Sequence, residues 1–168
     1  MERKESAGWL CRFKLSKYRE DVESFRGRED EFHRRFRPYE VIEKEGNLLL
    51  NAGIDEMWDL VVGDSANHFN NAGAQIGVGD SAAAAAATQT DLQASTNKTY
   101  KGMETSYPAS TSQKATFKAS FGDSEANYAW NEWVVRQSTS LKCLNRKVES
   151  LGTKSSGTWT LEVNVTLS

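Results

Sequence analysis

The residues Gly77-Val78-Gly79-Asp80-Ser81-Ala82 match GxGxxA, the pattern in which glycines let backbone approach a pyrophosphate at a helix amino terminus. Here the pattern follows a predicted strand and precedes an alanine-rich stretch. Asp80 counts against it, because a carboxylate would sit beside the anion, and no alternation of strands and helices follows. A strand running into a turn is the stronger reading. Glu132, between Trp130 and Trp133, has the composition of a sugar site: indole faces stack on pyranose rings, and an apolar wall raises a carboxyl pKa. Glycosidase chemistry needs a second acid at a fixed distance. With five tryptophans to accommodate, packing outweighs carbohydrate contact. His33 and His68 have no Cys or His neighbour at metal-ligand spacing. Cys11 falls on the apolar face of a predicted strand, where burial suppresses the thiolate, and neither it nor Cys143 belongs to a CxxC pair. The expectation is a protein that is not an enzyme, with no catalytic residue, no metal and no cofactor.

The elements that must position these groups divide near Gly46. The first 46 residues hold 12 Lys/Arg and 11 Asp/Glu, half of that segment, so residues 1–46 read as a charged amino-terminal arm and residues 47–168 as a β-rich body. Within the arm, Trp9, Cys11, Phe13 and Leu15 alternate with Leu10, Arg12, Lys14 and Ser16, which predicts a strand over residues 8–18. Residues 20–37 mix acids and bases around Val22, Phe25, Phe32 and Phe36, and are expected to order only against a partner. Tyr39–Ile42 reads as a brief strand after Pro38. Ile54, Met57, Trp58 and Val61 fall at i, i+3, i+4 and i+7, which predicts a helix capped by Asn51, stopped by Gly63 and laid stripe-down on a sheet. Strands are predicted over residues 74–78, 115–121, 127–136 (apolar on both faces, hence central), 141–151 and from 158 to the final residue. The six alanines of residues 82–87 favour a short helix over about residues 82–92. The fold class is α+β: a mainly antiparallel β-sandwich or barrel-like body with one prominent helix and an extended amino-terminal arm.

Composition bounds the partners. A net charge of −2 offers no field for counterion release, and the Arg26–Arg37 basic residues are interleaved with acids, so no nucleic acid is expected. No apolar run approaches the roughly 18 residues that a membrane-spanning helix needs, and the amino terminus is charged, so neither a membrane span nor a secretory signal is expected. Mixed charge with scattered aromatics suits docking on another protein, and the residues expected to make that contact are Trp9, Phe13, Phe25, Phe32, Arg35 and Phe36.

An ordered series of segments runs through most of the chain: Pro38-Tyr39-Glu40-Val41; Glu45-Gly46-Asn47-Leu48-Leu49-Leu50-Asn51-Ala52-Gly53-Ile54; Ala74-Gln75-Ile76-Gly77-Val78-Gly79-Asp80-Ser81; and Thr88-Gln89-Thr90-Asp91-Leu92 with Asn97-Lys98-Thr99-Tyr100-Lys101. It continues through Phe121-Gly122, Glu125-Ala126-Asn127-Tyr128-Ala129-Trp130-Asn131-Glu132-Trp133, Leu144-Asn145-Arg146-Lys147-Val148 and Leu151-Gly152-Thr153-Lys154 to the Thr-rich last strand. This series resembles tailed-bacteriophage virion structural proteins, and the small β-rich body is similar to capsid decoration, or cement, proteins. The resemblance implies a structural protein made in the host bacterial cytoplasm and carried on the capsid surface of the virion. It further implies the major capsid protein as partner, and self-association as a homotrimer. A tail or fibre component binding a receptor or glycan through Trp130 and Trp133 is the alternative.

Overall fold

The period-two alternation near the amino terminus becomes strand β1, Trp9–Tyr18, in a computed structural model that describes residues 8–168. Its inward residues Cys11, Phe13 and Leu15 are buried, and it pairs along its whole length with the last strand, β10, Thr158–Leu167, from Trp9 opposite Leu167 to Tyr18 opposite Thr158. On the outer side of β1 lies β2, Glu40–Glu45. Beyond β10 come β7, Lys114–Phe121, and β6, Ala109–Thr111, completing one antiparallel sheet of order β2-β1-β10-β7-β6.

The second sheet is also antiparallel. It comprises β3 (Leu48–Leu49), β4 (Ala74–Gly79), β5 (Lys98–Gly102), β8 (Glu132–Gln137) and β9 (Cys143–Val148), in the order β3-β9-β8-β4-β5. The inner faces of the two sheets share one core: Phe13, Leu15, Phe117, Phe121, Leu161 and Val163 meet Ile76, Val78, Trp133 and Val135. Of the expected sandwich or barrel-like forms this is the mainly antiparallel β-sandwich, with two α-helices among the described residues: α1, Glu29–Arg35, and α2, Asn51–Val62.

Over residues 8–46 the expected arm does not stand apart from the body. Strand β1 sits between β2 and β10 because its apolar face needs an apolar partner, and the opposite sheet supplies it. Residues 1–7 of that segment lie outside the described residues. Residues 20–37 likewise find their partner within the chain: a single 3-10 turn, Glu23–Phe25, and α1 gather Val22, Phe25 and Phe32 against Tyr18, with Phe36 at the edge. Phe25 and Phe32 meet edge to face, with ring centroids 5.7 Å apart.

Helix α2 forms where the periodicity placed it and stops at Gly63, whose left-handed φ of 83° ends the last turn. Its cap is the buried Leu50 rather than Asn51, with the Leu50 amide donating to Leu144 O at 3.1 Å. The facing differs from the expectation: of the predicted stripe only Met57 packs against the core. Gly53 and Glu56 turn inward; a Cβ on Gly53 would lie 2.3 Å from Leu144 O, so only glycine lets the helix seat on β9 at that point. Glu56 is held there by Ser65 Oγ at 2.7 Å and Lys142 Nζ at 2.8 Å. The stripe of Ile54, Trp58 and Val61, joined by Val62, is left in solvent.

The alanine run forms no helix. Its backbone is committed elsewhere: Ala83 O accepts from Arg146, Gln89 bonds both Ala84 O and Ala86 N, and Asn51 N donates to Ala87 O. Alanine's helix preference is worth less than these tertiary bonds.

Candidate functional site

The sequence singled out Glu132, and its surroundings leave it no substrate. Along β8, Trp133 and Val135 enter the sandwich core, while Glu132 and Val134 face the outer side of the second sheet under residues 80–97. The Glu132 carboxylate takes amide hydrogens from Gln93 at 2.9 Å and Ala94 at 2.7 Å, and guanidinium hydrogens from Arg146 Nε at 2.8 Å and Nη2 at 2.7 Å. Both side chains are 0 % exposed. Arg146 uses its remaining donors on Gln89 Oε1 and Ala83 O, so the pair clamps the covering segment to the sheet. With its lone pairs occupied and no access to water, Glu132 is a structural carboxylate.

Trp130 and Trp133 are also fully buried, Trp130 edge-on to Phe121 and Trp159. Packing, the weightier sequence reading, is where they are found. A receptor or glycan could not reach them, so the tail or fibre alternative loses the residues that carried it. Gly77 and Gly79, the phosphate-cradle candidates, lie in β4: an added Cβ would meet the Tyr100 ring at 2.6 Å on Gly77 and Glu132 Oε1 at 2.6 Å on Gly79. Close packing accounts for both glycines.

The two thiols are buried, and burial pushes each up to about 12, far from thiolate formation at neutral pH. His33 bridges α1 to the body: its Nδ1 lies 3.1 Å from Tyr18 Oη and its Nε2 2.8 Å from Glu104 Oε1. Glu104 also accepts from Ser120 and faces Lys118 at 3.5 Å. Burial alone would raise the Glu104 carboxyl, but the His33 hydrogen bond and the Lys118 charge outweigh it and hold the group below the ordinary carboxylate range. His68 lies apart, in the exposed segment after α2. Among the described residues no three His, Cys, Asp or Glu side chains converge as a metal site would require, and no helix is long and apolar enough to cross a membrane.

The six expected contact residues separate into two groups. Phe13 lies inside the sandwich, and Phe25 and Phe32 inside the small cluster around Tyr18, so burial removes these three from contact with a partner. Their alternation and spacing mark an apolar face, and a sequence does not say whether that face is turned to a partner or to the protein's own core. Trp9 and Phe36 are half-buried and Arg35 is exposed, with its guanidinium 5.5 Å from the Phe36 ring centroid.

Surface contact is offered instead by α2. Trp58, Val61 and Val62 are 63 %, 73 % and 65 % exposed and form one stripe with Ile54. Scattered apolar residues are ordinary on a surface, whereas a contiguous exposed stripe with a tryptophan at its centre is not. Through Met57 the stripe adjoins an apolar cleft of about 320 Å³ where the sandwich opens, lined by Trp9, Phe69, Phe117, Val165 and Leu167. The helical periodicity of residues 54–61 was visible in the sequence; the outward facing was not, because it depends on Gly53 and Glu56 taking the inner side.

Comparison of the chain with protein-family models, with curated proteins and with solved structures finds no match.

Proposed function

We propose that this is a structural virion protein of a tailed bacteriophage, bound to the outer surface of the capsid as a decoration or cement protein. The observation that carries the reading is the solvent-facing stripe of α2 beside the apolar cleft, because it is a surface suited to another macromolecule. The sealed Glu132–Arg146 pair and the buried tryptophans fit a body whose interior serves stability. The resemblance of the sequence to virion structural proteins supplies the particle. A protein that binds only the assembled shell stabilises it by mass action, and many copies per particle multiply the effect. Arg35, Phe36 and Trp9 remain accessible for contact with a partner in the particle.

The test is imaging of the intact particle at side-chain resolution, combined with binding of the purified protein to particles stripped of it. Regular density for this fold over the capsid faces, and a rise in the temperature at which the shell releases its genome on re-binding, are expected. Density confined to the tail, or absence of the protein from purified particles, would overturn the reading.

A further inference from the structure

We infer that α2 docks onto a second copy of this chain, and that the surface receiving it is the arginine-aromatic face at the opposite end of the sandwich.

The two surfaces are complementary in both apolar character and charge. The α2 stripe is flanked by Asp55 and Asp64, which are exposed and make no ion pair among the described residues. At the other end, the last turn of α1 and the residues after it present Arg34, Arg35 and Arg37 to solvent, with Arg19 alongside. Of these four, Arg34 alone has an acidic partner among the described residues, the exposed Asp30 at 2.8 Å. The cationic face is also aromatic. The Arg19 guanidinium lies 5.3 Å from the Tyr39 ring centroid, Arg35 lies over Phe36, and Tyr39 and Val41 are 50 % and 47 % exposed. Tryptophan, tyrosine and arginine are the residue types that dominate binding at interface centres. An acidic, apolar ridge on one surface faces a basic, aromatic one on the other, and opposite potentials of this kind select partner and register.

Their placement decides what kind of contact this is. The cleft beside α2 opens at the Trp9 end of β1, while α1 packs on Tyr18 at the far end. Ten strand residues at about 3.3 Å each separate them, roughly 30 Å. The surfaces therefore cannot meet within one molecule, and the contact joins the head of one copy to the tail of the next. Such heterologous contacts build a ring when the rotation closes and an open chain when it does not. The contact deepens the proposed function by naming the surfaces through which copies associate, and it rests on that reading in treating surface contact as this protein's work.

Sedimentation of the purified chain, without particles, tests it. Two variants are compared with the wild type: a head variant, Trp58→Ser with Val61→Ser, and a tail variant, Arg35→Glu with Arg37→Glu. All four positions are exposed, and matching thermal melts verify folding. If one double variant melts early, its single substitutions Val61→Ser or Arg37→Glu replace it. The wild type is expected to associate with rising concentration, and each variant alone to associate at least about tenfold more weakly. Mixed together, the two variants are expected to give a one-to-one dimer and nothing larger, since only one productive head and one productive tail remain. A monomeric wild type would overturn the inference. So would association lost in the head variant but retained in the tail variant, which would mean that α2 pairs with its own copy. Solution assembly without particle binding would leave the self-contact standing and remove the capsid role. Particle binding with a monomeric wild type would do the reverse.

Discussion

Glu132 and Arg146 show how a single residue pair organises this molecule. Every nitrogen and oxygen of the two charged groups has a hydrogen-bond partner, but each charge depends on the other. Removing one partner strands a buried ion, at a cost of about 3–5 kcal/mol, whereas replacing both by apolar groups of similar volume is far less costly. Arg146→Met is therefore expected to lower stability in urea by about that amount, and adding Glu132→Leu to recover part of it, since the Gln93 and Ala94 amides then lose their acceptor. Such a pair was only faintly legible in the sequence, because nothing in the spacing connects two residues on neighbouring strands. Glu104 makes a different prediction. Its carboxyl is depressed in the folded state, so its contribution is complete above the ordinary carboxylate value near 4.5 and disappears as pH falls through the depressed one. Glu104→Gln is expected to lower the melting temperature at neutral pH and to flatten its fall from about pH 4.5 downward, the two proteins converging in acid. A melting curve with the same acid slope in both would show that the bonds from His33 and Ser120 do not favour the charged form.

At the scale of elements, strands and helix were legible to different degrees for physical reasons. Strands β1 and β10 read directly, because a period of two on a half-buried strand says which residues go inside and a sheet has only two faces. For α2, the position and the Gly63 stop were legible because they depend on local chemistry. Its orientation was not, because a glycine touching Leu144 and a glutamate bound by Lys142 on a neighbouring loop decided which side faces β9. The alanine run was misread for a related reason. Helix propensity is a per-residue preference of a few tenths of a kcal/mol, and here the carbonyls a helix would use are taken by Arg146 and Gln89. Gln89→Ala removes the bonds to Ala84, Ala86 and Arg146 together. It should speed proteolysis within residues 82–88 and hydrogen exchange at Ala86 severalfold, and lower the melting temperature modestly, because the buried Arg146 loses one acceptor. Unaltered cleavage would mean that the clamp is redundant.

On the scale of the whole molecule, the separation of a charged arm from a β-rich body was a compositional inference, and composition does not report pairing. Arg12 and Lys14 of β1 lie on its outer side while the alternate residues Cys11, Phe13 and Leu15 build the core, and Lys17, buried at the end of that inner row, donates to Leu151 O. A chain beginning at Pro38 would expose one flank of β10 and lose Phe13 and Leu15 from the sandwich. It is expected to lack cooperative melting and near-ultraviolet dichroism, whereas a true appendage would come off without effect. The closure of the first sheet has a further consequence. Gly8 and Ser168 exchange backbone hydrogen bonds, at 2.6 Å and 3.1 Å, so two positions nearly the full sequence apart are neighbours in space. Pairings of such long range make folding slow, because the loop must close before any contact rewards it. A circular permutant joining Ser168 to Gly8 through a short turn, and opened at the exposed Ser155–Ser156, would make β10 and β1 a hairpin. The same native contacts would then be reached by a local route, and refolding followed by stopped-flow fluorescence of the buried tryptophans should be faster in the rearranged chain than in the original.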